Sequence, residues 1–228
     1  MKISLLKRIL KAYKALNRAF GIYLSPIILF VLLLTLRIIV QFFMTLDYLF
    51  YPFKIKKKLK NPIIIVGNPR SGTTFLHRYL VKNDIGSGSQ LWQLIYTSAT
   101  LQKIIKPVLP FLERFSPTKY HSTEAHKTSL SSVETDDASM LFRFFDGFFL
   151  YGFILSWLDE DLFDWVDPKK RNNSTRDFKW FDSMWRRTLI FHNNDRIIAK
   201  LFSISANTPA FQSHFKDAKI LYLVRDPS

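Results

Sequence analysis

Residues 63–80 read IIIVGNPRSGTTFLHRYL, and this stretch decides what kind of domain the chain can form. A β-branched run ending in glycine predicts a buried parallel strand, and the residues after the second glycine predict a helix. Gly67 and Gly72 are separated by four residues, which is the spacing of a phosphate-binding P-loop. That motif continues with a lysine. Here two threonines follow instead, and the nearest cation, Arg70, lies inside the loop.

The remainder of residues 61–228 predicts an α/β domain. RIIAKLF (196–202) and AKILYLV (218–224) read as two further buried strands, and TRDFKWFDSMWRRTLIFHN (175–193) reads as an amphipathic helix. This alternation of strands and helices is the order of a doubly wound parallel sheet. We therefore predict a P-loop-like parallel sheet flanked by helices, preceded by a membrane-associated helical segment over residues 1–60.

Two segments between these elements carry further predictions. Ser132, with acidic residues behind it, resembles a helix N-terminus. The aromatic run MLFRFFDGFFLYGFILSW (140–157) is interrupted by Arg143 and Asp146, and its uninterrupted part is too short to span a bilayer. We expect it to form a buried helix or the wall of an acceptor channel.

The positive charge of the chain is concentrated near its N-terminus. Residues 1–60 hold 12 Lys and Arg residues and one acidic residue, whereas the other 168 residues hold 21 basic and 17 acidic ones. A nucleic-acid footprint would be expected on the globular part, so we predict no nucleic-acid partner. The chain has no cysteine, which excludes disulfides and thiolate metal sites and leaves the redox compartment open.

Residues 2–20 predict a basic amphipathic helix. Its basic residues recur at helical spacing and form one stripe, and its apolar residues form another; the basic stripe is Lys7, Lys11, Lys14 and Arg18. Such a pattern is typical of a helix on an anionic membrane surface. A solvated helix that packs on its own domain is the alternative.

Residues 21–53, GIYLSPIILFVLLLTLRIIVQFFMTLDYLFYPF, are long and apolar enough to cross a bilayer. A single polar stripe nevertheless runs along the predicted helix, formed by Arg37, Gln41, Thr45 and Tyr48. Lysines follow the run, so basic residues flank it on both sides, which suits an element that enters and leaves on one face. A spanning helix, an interfacial helix and a soluble core helix all stay open, and we predict that residues 1–60 bind a membrane.

The loop chemistry favours a phosphosulfate over a nucleoside triphosphate. A glycine turn that opens a helix directs backbone N–H groups at an anion, and Arg70 adds a planar charged fork. A triphosphate requires Mg²⁺ and a deep lysine, which this loop does not provide. A sulfuryl group in transfer carries less charge than a phosphoryl group, so hydrogen bonds and one cation can bind it without a metal.

Two motifs carry a resemblance to a known family. GNPRSGTTFLHRYL (67–80) is similar to the 5′-phosphosulfate loop of sulfotransferases that use 3′-phosphoadenosine 5′-phosphosulfate (PAPS). RIIAKLF and FKDAKILYLVRDPS resemble the second motif of this family, in which an arginine at a strand end binds the 3′-phosphate. The helix before RIIAK resembles that of the bacterial and tyrosyl-protein branch, and the resemblance covers about residues 61–228.

This resemblance implies roles for particular residues. The 5′-phosphosulfate would be held by Arg70, Ser71, Gly72, Thr73 and Thr74, and the 3′-phosphate by Arg225, with no metal. Relatives often have Lys-Ser-Pro where Leu201 and Phe202 follow Lys200 here, so the resemblance does not carry a cofactor role over to Lys200. Many relatives also have a serine about eight residues after the arginine. The chain ends three residues after Arg225, and we expect it to be truncated at its C-terminus.

The catalytic base is the hardest role to assign. The hydroxyl acceptor must lose a proton, which a carboxylate or a histidine can take. Relatives often carry a glutamate beyond the first helix, whereas this region reads SQLWQL and has no acid. The candidates are Glu134 and His126, followed by His121 and Asp136, and SSVETDDASMLF favours Glu134 because it resembles an acidic segment of the family.

Three functions stay open. The first is a membrane-associated PAPS-dependent sulfotransferase that acts on a hydroxyl or amine acceptor, with a lipid or glycan favoured by the membrane attachment. The others are a non-catalytic membrane protein with this fold and a P-loop kinase or ATPase. We expect the catalytic domain to be cytoplasmic and the protein to be bacterial.

Overall fold

The structure, a computed structural model, describes residues 2–68, 70–116, 128–192 and 194–226. Ten α-helices and three strands make up most of the regular structure in these ranges. In chain order they are α1 Leu5–Phe20, α2 Leu24–Phe50, β1 Ile63–Gly67, α3 Thr73–Lys82, α4 Leu91–Ile95, α5 Ala99–Ile105, α6 Leu109–Phe115, α7 Ala138–Phe144, α8 Phe163–Val166, α9 Ser174–Leu189, β2 Ile198–Lys200, α10 Thr208–His214 and β3 Lys219–Leu223.

The strands form one parallel sheet in the order β2-β1-β3. Ile65 of β1 pairs with Lys200 of β2, and Gly67 pairs with Leu223 of β3, so all three strands end at the same edge. The central strand is buried along its length because it has a neighbour on each side and helices on its faces. A parallel sheet flanked by helices is therefore confirmed.

The third strand is less buried than its sequence predicts. β3 lies at the edge of the sheet, and Tyr222 and the following Val224 are 59% and 77% exposed. Its apolar pattern is that of a strand covered on both faces. Among the residues that the structure describes, no element covers the outer part of β3, and the prediction that β3 is buried is wrong.

The segments around residue 132 and across the aromatic run also differ from expectation. Ser132 lies in a turn with Ser129, and the next helix, α7, begins after Asp137. The aromatic run is not one helix, because positive φ values at Phe145 (50°) and Gly147 (83°) end α7. The chain then continues through a π turn, Leu150–Ile154, and a 3₁₀ turn, Leu155–Trp157.

Helix α2 shares the main hydrophobic core of the domain. Val40 and Met44 of α2 pack into the same cluster as the sheet residue Ile64 and the α9 residue Trp185. The side chain of Asp47 is fully buried. It accepts a hydrogen bond from Arg187 Nε of α9 at 2.7 Å, and further ones from Ser98, Ala99 and Thr100 at the start of α5.

The basic stripe of α1 lies against the chain itself. Lys11 and Lys14 pair with Glu160, Arg18 pairs with Asp159, and Lys7 lies over the ring of Trp165. The sequence leaves two interpretations of this stripe open, a helix on a membrane surface and a helix packed on its own domain. The structure shows the second.

Helix α2 is long and apolar enough to cross a membrane by length and composition. It has 27 residues, and its most apolar part is only 17% buried within the molecule. Length and composition alone are weak evidence that α2 crosses a membrane. The contacts made by the two faces of the helix are needed to interpret them.

Candidate functional site

The glycine loop between β1 and α3 is tightly folded. A Cβ on Gly67 would lie 2.6 Å from the carbonyl oxygen of Leu223 and 2.8 Å from Ser71 Oγ, so no larger residue fits. Gly72 has a φ of 86° immediately before α3, and Arg70 has a φ of 66°. Because side chains disfavour the left-handed region, Arg70 is held there by the turn.

The loop presents a helix N-terminus at the carboxyl edge of the sheet. Ser71 donates its backbone N–H and its hydroxyl back to the carbonyl of Asn68, at 3.2 Å and 2.7 Å, which closes the turn. Thr73 and Thr74 begin α3, whose first N–H groups have no carbonyl partner within the helix. The side chain of Arg70 is exposed. This arrangement is suited to an anion.

Lys200 supplies the cation that the loop sequence lacks. It is the last residue of β2, is 3% exposed, and donates from Nζ to Thr74 Oγ1 at 2.9 Å. Burial lowers the pKa of its ammonium group, and the nearby carboxylate of Glu134 acts in the opposite direction. In the described parts of the chain, no carboxylate lies within 4.0 Å of Nζ. Within the described residues, the ammonium group therefore forms no ion pair.

Glu134 lies at the same edge of the sheet. Its side chain is mostly buried, and Oε1 accepts a hydrogen bond from Arg78 Nη2 of α3 at 2.8 Å. The next residue, Thr135, donates from Oγ1 to the carbonyl oxygen of Lys200 at 2.9 Å. Residues 134 and 135 thus lie across the end of β2, and the carboxylate of Glu134 is near enough to influence the ammonium group of Lys200 without forming an ion pair with it.

Asp136 has a structural role in this arrangement. It is fully buried and accepts hydrogen bonds from Trp185 Nε1 at 2.9 Å and from the backbone N–H of Lys200 at 3.1 Å. Burial raises its pKa to about 7. Asp137 likewise accepts from the backbone N–H groups of Phe202 and Ser203. Both carboxylates hold the chain that follows β2, so Asp136 is a poor candidate for the base.

The helix α3 is fixed beneath the loop by His77. This side chain is 1% exposed, and its Nε2 lies 2.8 Å from the carbonyl oxygen of Ile198 in β2. Burial lowers its pKa to about 4, so the ring is neutral at pH 7 and Nε2 donates the hydrogen bond. His77 therefore couples the helix that carries the loop to the strand that carries Lys200.

The remaining candidates are distributed differently. Arg225 follows β3 two residues after Leu223, at the carboxyl edge of the sheet, and is exposed. His126 and His121 lie outside the described residues. The structure thus brings the loop, Glu134 and Arg225 to one edge of the sheet.

Sequence reasoning undervalued Lys200 and missed Arg78. The residues after Lys200 depart from the family pattern, but its place at the end of a buried strand was a usable signal, since parallel strands bring their carboxyl ends to one edge. The Arg78 pair with Glu134 joins positions 56 residues apart, and no local pattern predicts it. His77 carries no sequence signal beyond lying one helical turn after Thr73.

Two solved structures resemble this fold. Sulfotransferase STF1 from Mycobacterium tuberculosis H37Rv matches 97% of this chain with a TM-score of 0.64 and 20% identity. Sulfotransferase STF9 from Mycobacterium avium matches 81% with a TM-score of 0.59 and 19% identity. The chain spans 60% and 47% of the lengths of these two proteins. No curated protein matches its sequence.

A family model gives the assignment at the level of sequence. The model described as the sulfotransferase family matches residues 62–228, which include the glycine loop, β2 with Lys200, and β3 with Arg225. The match and the fold agree, and both include the edge of the sheet where these residues meet. The chain belongs to the sulfotransferase family.

Proposed function

We propose that this protein transfers a sulfuryl group from PAPS to a hydroxyl or amine acceptor. The observation that carries the proposal is the hydrogen bond from Lys200 Nζ to Thr74 Oγ1, because it places a buried cation at the anion loop. The loop amides and Arg70 would hold the 5′-phosphosulfate together with Lys200, and Ser71, Gly72 and Thr73 shape the turn. Arg225 would bind the 3′-phosphate.

The electrostatics of Lys200 support an anionic ligand. Burial disfavours the charged form of this lysine, and an anion beside it would favour that form. The partly buried cluster also lowers the local dielectric, which strengthens a charge-assisted hydrogen bond to the ligand. In this proposal Lys200 supplies positive charge of the kind that a metal ion supplies in a nucleoside triphosphatase.

The transfer step is a displacement at sulfur. The acceptor oxygen forms a bond to sulfur while the bond between sulfur and the bridging oxygen of the 5′-phosphate breaks. The bridging oxygen keeps the electron pair and leaves with adenosine 3′,5′-bisphosphate (PAP). Glu134 would take the acceptor proton, and Arg70 and Lys200 would stabilise charge on the leaving phosphate.

An aromatic cluster beside Lys200 supports an amphiphilic acceptor. Phe202 lies under the ammonium group of Lys200, with 5.5 Å between Nζ and the ring centroid, and packs on Phe148 at 5.2 Å. Phe148 contacts Phe153, which is 58% exposed, so the aromatic surface continues from the lysine to the solvent. We propose that this surface binds the apolar part of a lipid or glycolipid acceptor. A cytoplasmic catalytic domain and a bacterial source stay predictions.

The test of the donor assignment is nucleotide binding measured by calorimetry in EDTA. We expect PAP to bind without Mg²⁺, and Lys200→Met to weaken that binding at least about tenfold, because a charge-assisted contact to phosphate is lost. Lys179→Met, at an exposed lysine of α9, is the matched control and should bind PAP like the wild type. Tight binding of ATP with Mg²⁺ and no binding of PAP would instead support a kinase or ATPase.

A further inference from the structure

Helix α2 exposes a continuous apolar face. Eight of its large apolar residues are each at least half exposed, namely Leu24, Ile28, Val31, Leu32, Ile38, Phe42, Leu49 and Phe50. Phe53, just beyond the helix, is 88% exposed. At 1.5 Å per residue the helix is about 40 Å long. An exposed apolar surface of this extent marks a binding site for lipid or protein.

The opposite face of α2 is packed against the domain from one end to the other. Phe30 packs on Phe145 near the start of the helix, and Val40 and Met44 join the main core. Near its end, Asp47 pairs with the buried Arg187. If the helix crossed a bilayer, this packed domain would enter the hydrocarbon with it. The structure therefore favours a helix that lies along a surface.

Lysines cluster where α2 ends. Lys54, Lys56, Lys57, Lys58 and Lys60 follow the helix within ten residues. Their pairing partners are the carboxylates of Asp195, which contacts Lys57 and Lys60, and Asp217, which contacts Lys58. Five lysines against two aspartates leave an excess of positive charge.

A cleft of about 280 Å³ opens within this lysine cluster. Its polar lining is Lys54, Lys57, Lys58, Arg186, His192 and Asp195, and its apolar lining is Leu59, Leu189 and Ile190. Its size and its basic lining suit an anionic headgroup. The apolar face and a site for anionic charge are thus adjacent along the chain.

The cleft is separate from the candidate donor site. Lys60 precedes β1, Asp195 precedes β2 and Asp217 precedes β3, so the lysine cluster lies at the amino edge of the parallel sheet. The glycine loop and Lys200 lie at the carboxyl edge. An anion in the cleft would therefore occupy a second site.

We propose that the outer face of α2 and the lysines of residues 54–60 form a docking surface for an anionic lipid bilayer, with the protein bound to one leaflet. An apolar face flanked by lysines matches the hydrocarbon and the negative headgroups of such a surface at the same time. Leu6 and Leu10 of α1 are also exposed, at 64% and 58%. In the basic stripe of α1, three residues pair with the chain's own acids and Lys7 lies over Trp165, so the proposal assigns this stripe no part.

The test uses the full chain and vesicle flotation. Vesicles of phosphatidylcholine alone are compared with vesicles that also contain phosphatidylglycerol. We expect binding to the anionic vesicles, and a loss of about thirtyfold in affinity for the double variant Lys56→Gln, Lys58→Gln, since each lysine near an anionic surface contributes about fivefold. The matched control is Lys169→Gln with Lys179→Gln, two exposed lysines elsewhere, which should bind within about twofold of the wild type.

A second variant tests the apolar face. Ile38→Ser with Phe42→Ser changes two exposed side chains, and the ring contact that it removes is the one between Phe42 and the partly buried Phe43. The protein should therefore fold, as checked by circular dichroism, and lose vesicle binding. Carbonate extraction should release the wild type from the anionic vesicles.

Three outcomes would overturn the proposal. The first is retention after carbonate treatment, which would mean that the protein spans the bilayer. The second is a lipid-free dimer abolished by the serine variant, which would assign the face to a second copy. The third is equal binding by the lysine variant and its control. None of these outcomes depends on the sulfuryl-transfer proposal.

Discussion

The carboxyl and amino edges of the sheet both carry cations, but they hold them in different ways. At the carboxyl edge, Lys200 is 3% exposed and donates a hydrogen bond to Thr74. Burial lowers the pKa of its ammonium group. At the amino edge the lysines extend into solvent; the side chain of Lys58, for example, is 83% exposed. The carboxyl edge thus has a buried lysine with a fixed partner, and the amino edge has several exposed lysines.

This difference teaches what each edge can recognise. A buried cation with fixed partners interacts strongly with one ligand geometry, because little water screens it. Exposed lysines interact weakly one at a time and are screened by salt, so they recognise a charged surface but no particular molecule. The carboxyl edge is therefore suited to a defined co-substrate and the amino edge to a lipid surface.

The largest effect should come from Glu134→Gln at the carboxyl edge. If Glu134 takes the acceptor proton, transfer should slow by about 10²- to 10⁴-fold while PAP affinity stays nearly unchanged. Transfer is measured as radiolabel moved from PAPS into membrane extracts across a range of pH. His126→Gln is the comparison. An unaltered pH profile in the Glu134 variant removes that residue from the mechanism, and a loss only in the His126 variant assigns the base to histidine.

Arg70→Ala should have the next largest effect. Removal of one charged donor from an anion site slows turnover by about 10²- to 10³-fold, and the exposed position of Arg70 leaves folding unaffected. Arg196→Ala, just before β2 at the amino edge, is the matched control and should leave turnover unchanged. Equal losses of turnover in the two variants would contradict the proposed difference between the carboxyl and amino edges of the sheet.

The smallest expected effect is on the pH dependence of stability, and we expect it to be larger for the buried His77 than for His192. The folded pKa of His77 is lowered to about 4, so its contribution to stability is present above its unfolded pKa of about 6.5 and is lost as pH falls toward 4. Between pH 7 and pH 5 this loss is about 2 kcal/mol. His77→Gln, whose amide can still donate to Ile198, should remove that part of the pH dependence.

The measurement is urea unfolding of wild type and variant at both pH values. Asp136 changes stability in the opposite direction, because its raised pKa makes it stabilising at low pH, but it is common to both proteins. Only the difference between the two proteins is used. Burial also lowers the pKa of His192, at the amino edge, and His192→Gln should change the slope less, since this group is less buried. A steeper change in His192→Gln would contradict the comparison.

The sequence predicted the central part of the fold and of the site, and the limits of that prediction have physical causes. The glycine loop, β1 and α3 follow from local rules, because turn and helix-start signals lie within a few residues. The exposure of β3 does not follow from local rules. An apolar pattern shows that a strand can be buried, but it does not show whether another element covers it. Lys200 was undervalued because a departure in the two residues after it outweighed its position at a strand end.

The N-terminal helices show the same limit. The spacing of the basic residues in α1 is correct, but their partners, Asp159 and Glu160, are more than 140 residues away. A stripe of lysines looks the same whether an acidic loop or an anionic membrane faces it. The long apolar run of residues 21–53 does form a helix, α2. Its long-range contacts, such as those of Asp47, show that one face packs on the domain.

The contact between Asp47 and Arg187 can form only after the ribosome has synthesised both residues. The two residues are 140 positions apart. Because a ribosome adds about 5–20 residues per second, α2 is complete for roughly 7 to 30 s before its partner helix α9 has been made. During that interval the inner face of α2 has none of its final contacts with α9, and an apolar helix in water is prone to aggregation. We therefore expect the nascent chain to bind a chaperone or a lipid surface before the residues of the candidate site have all been made.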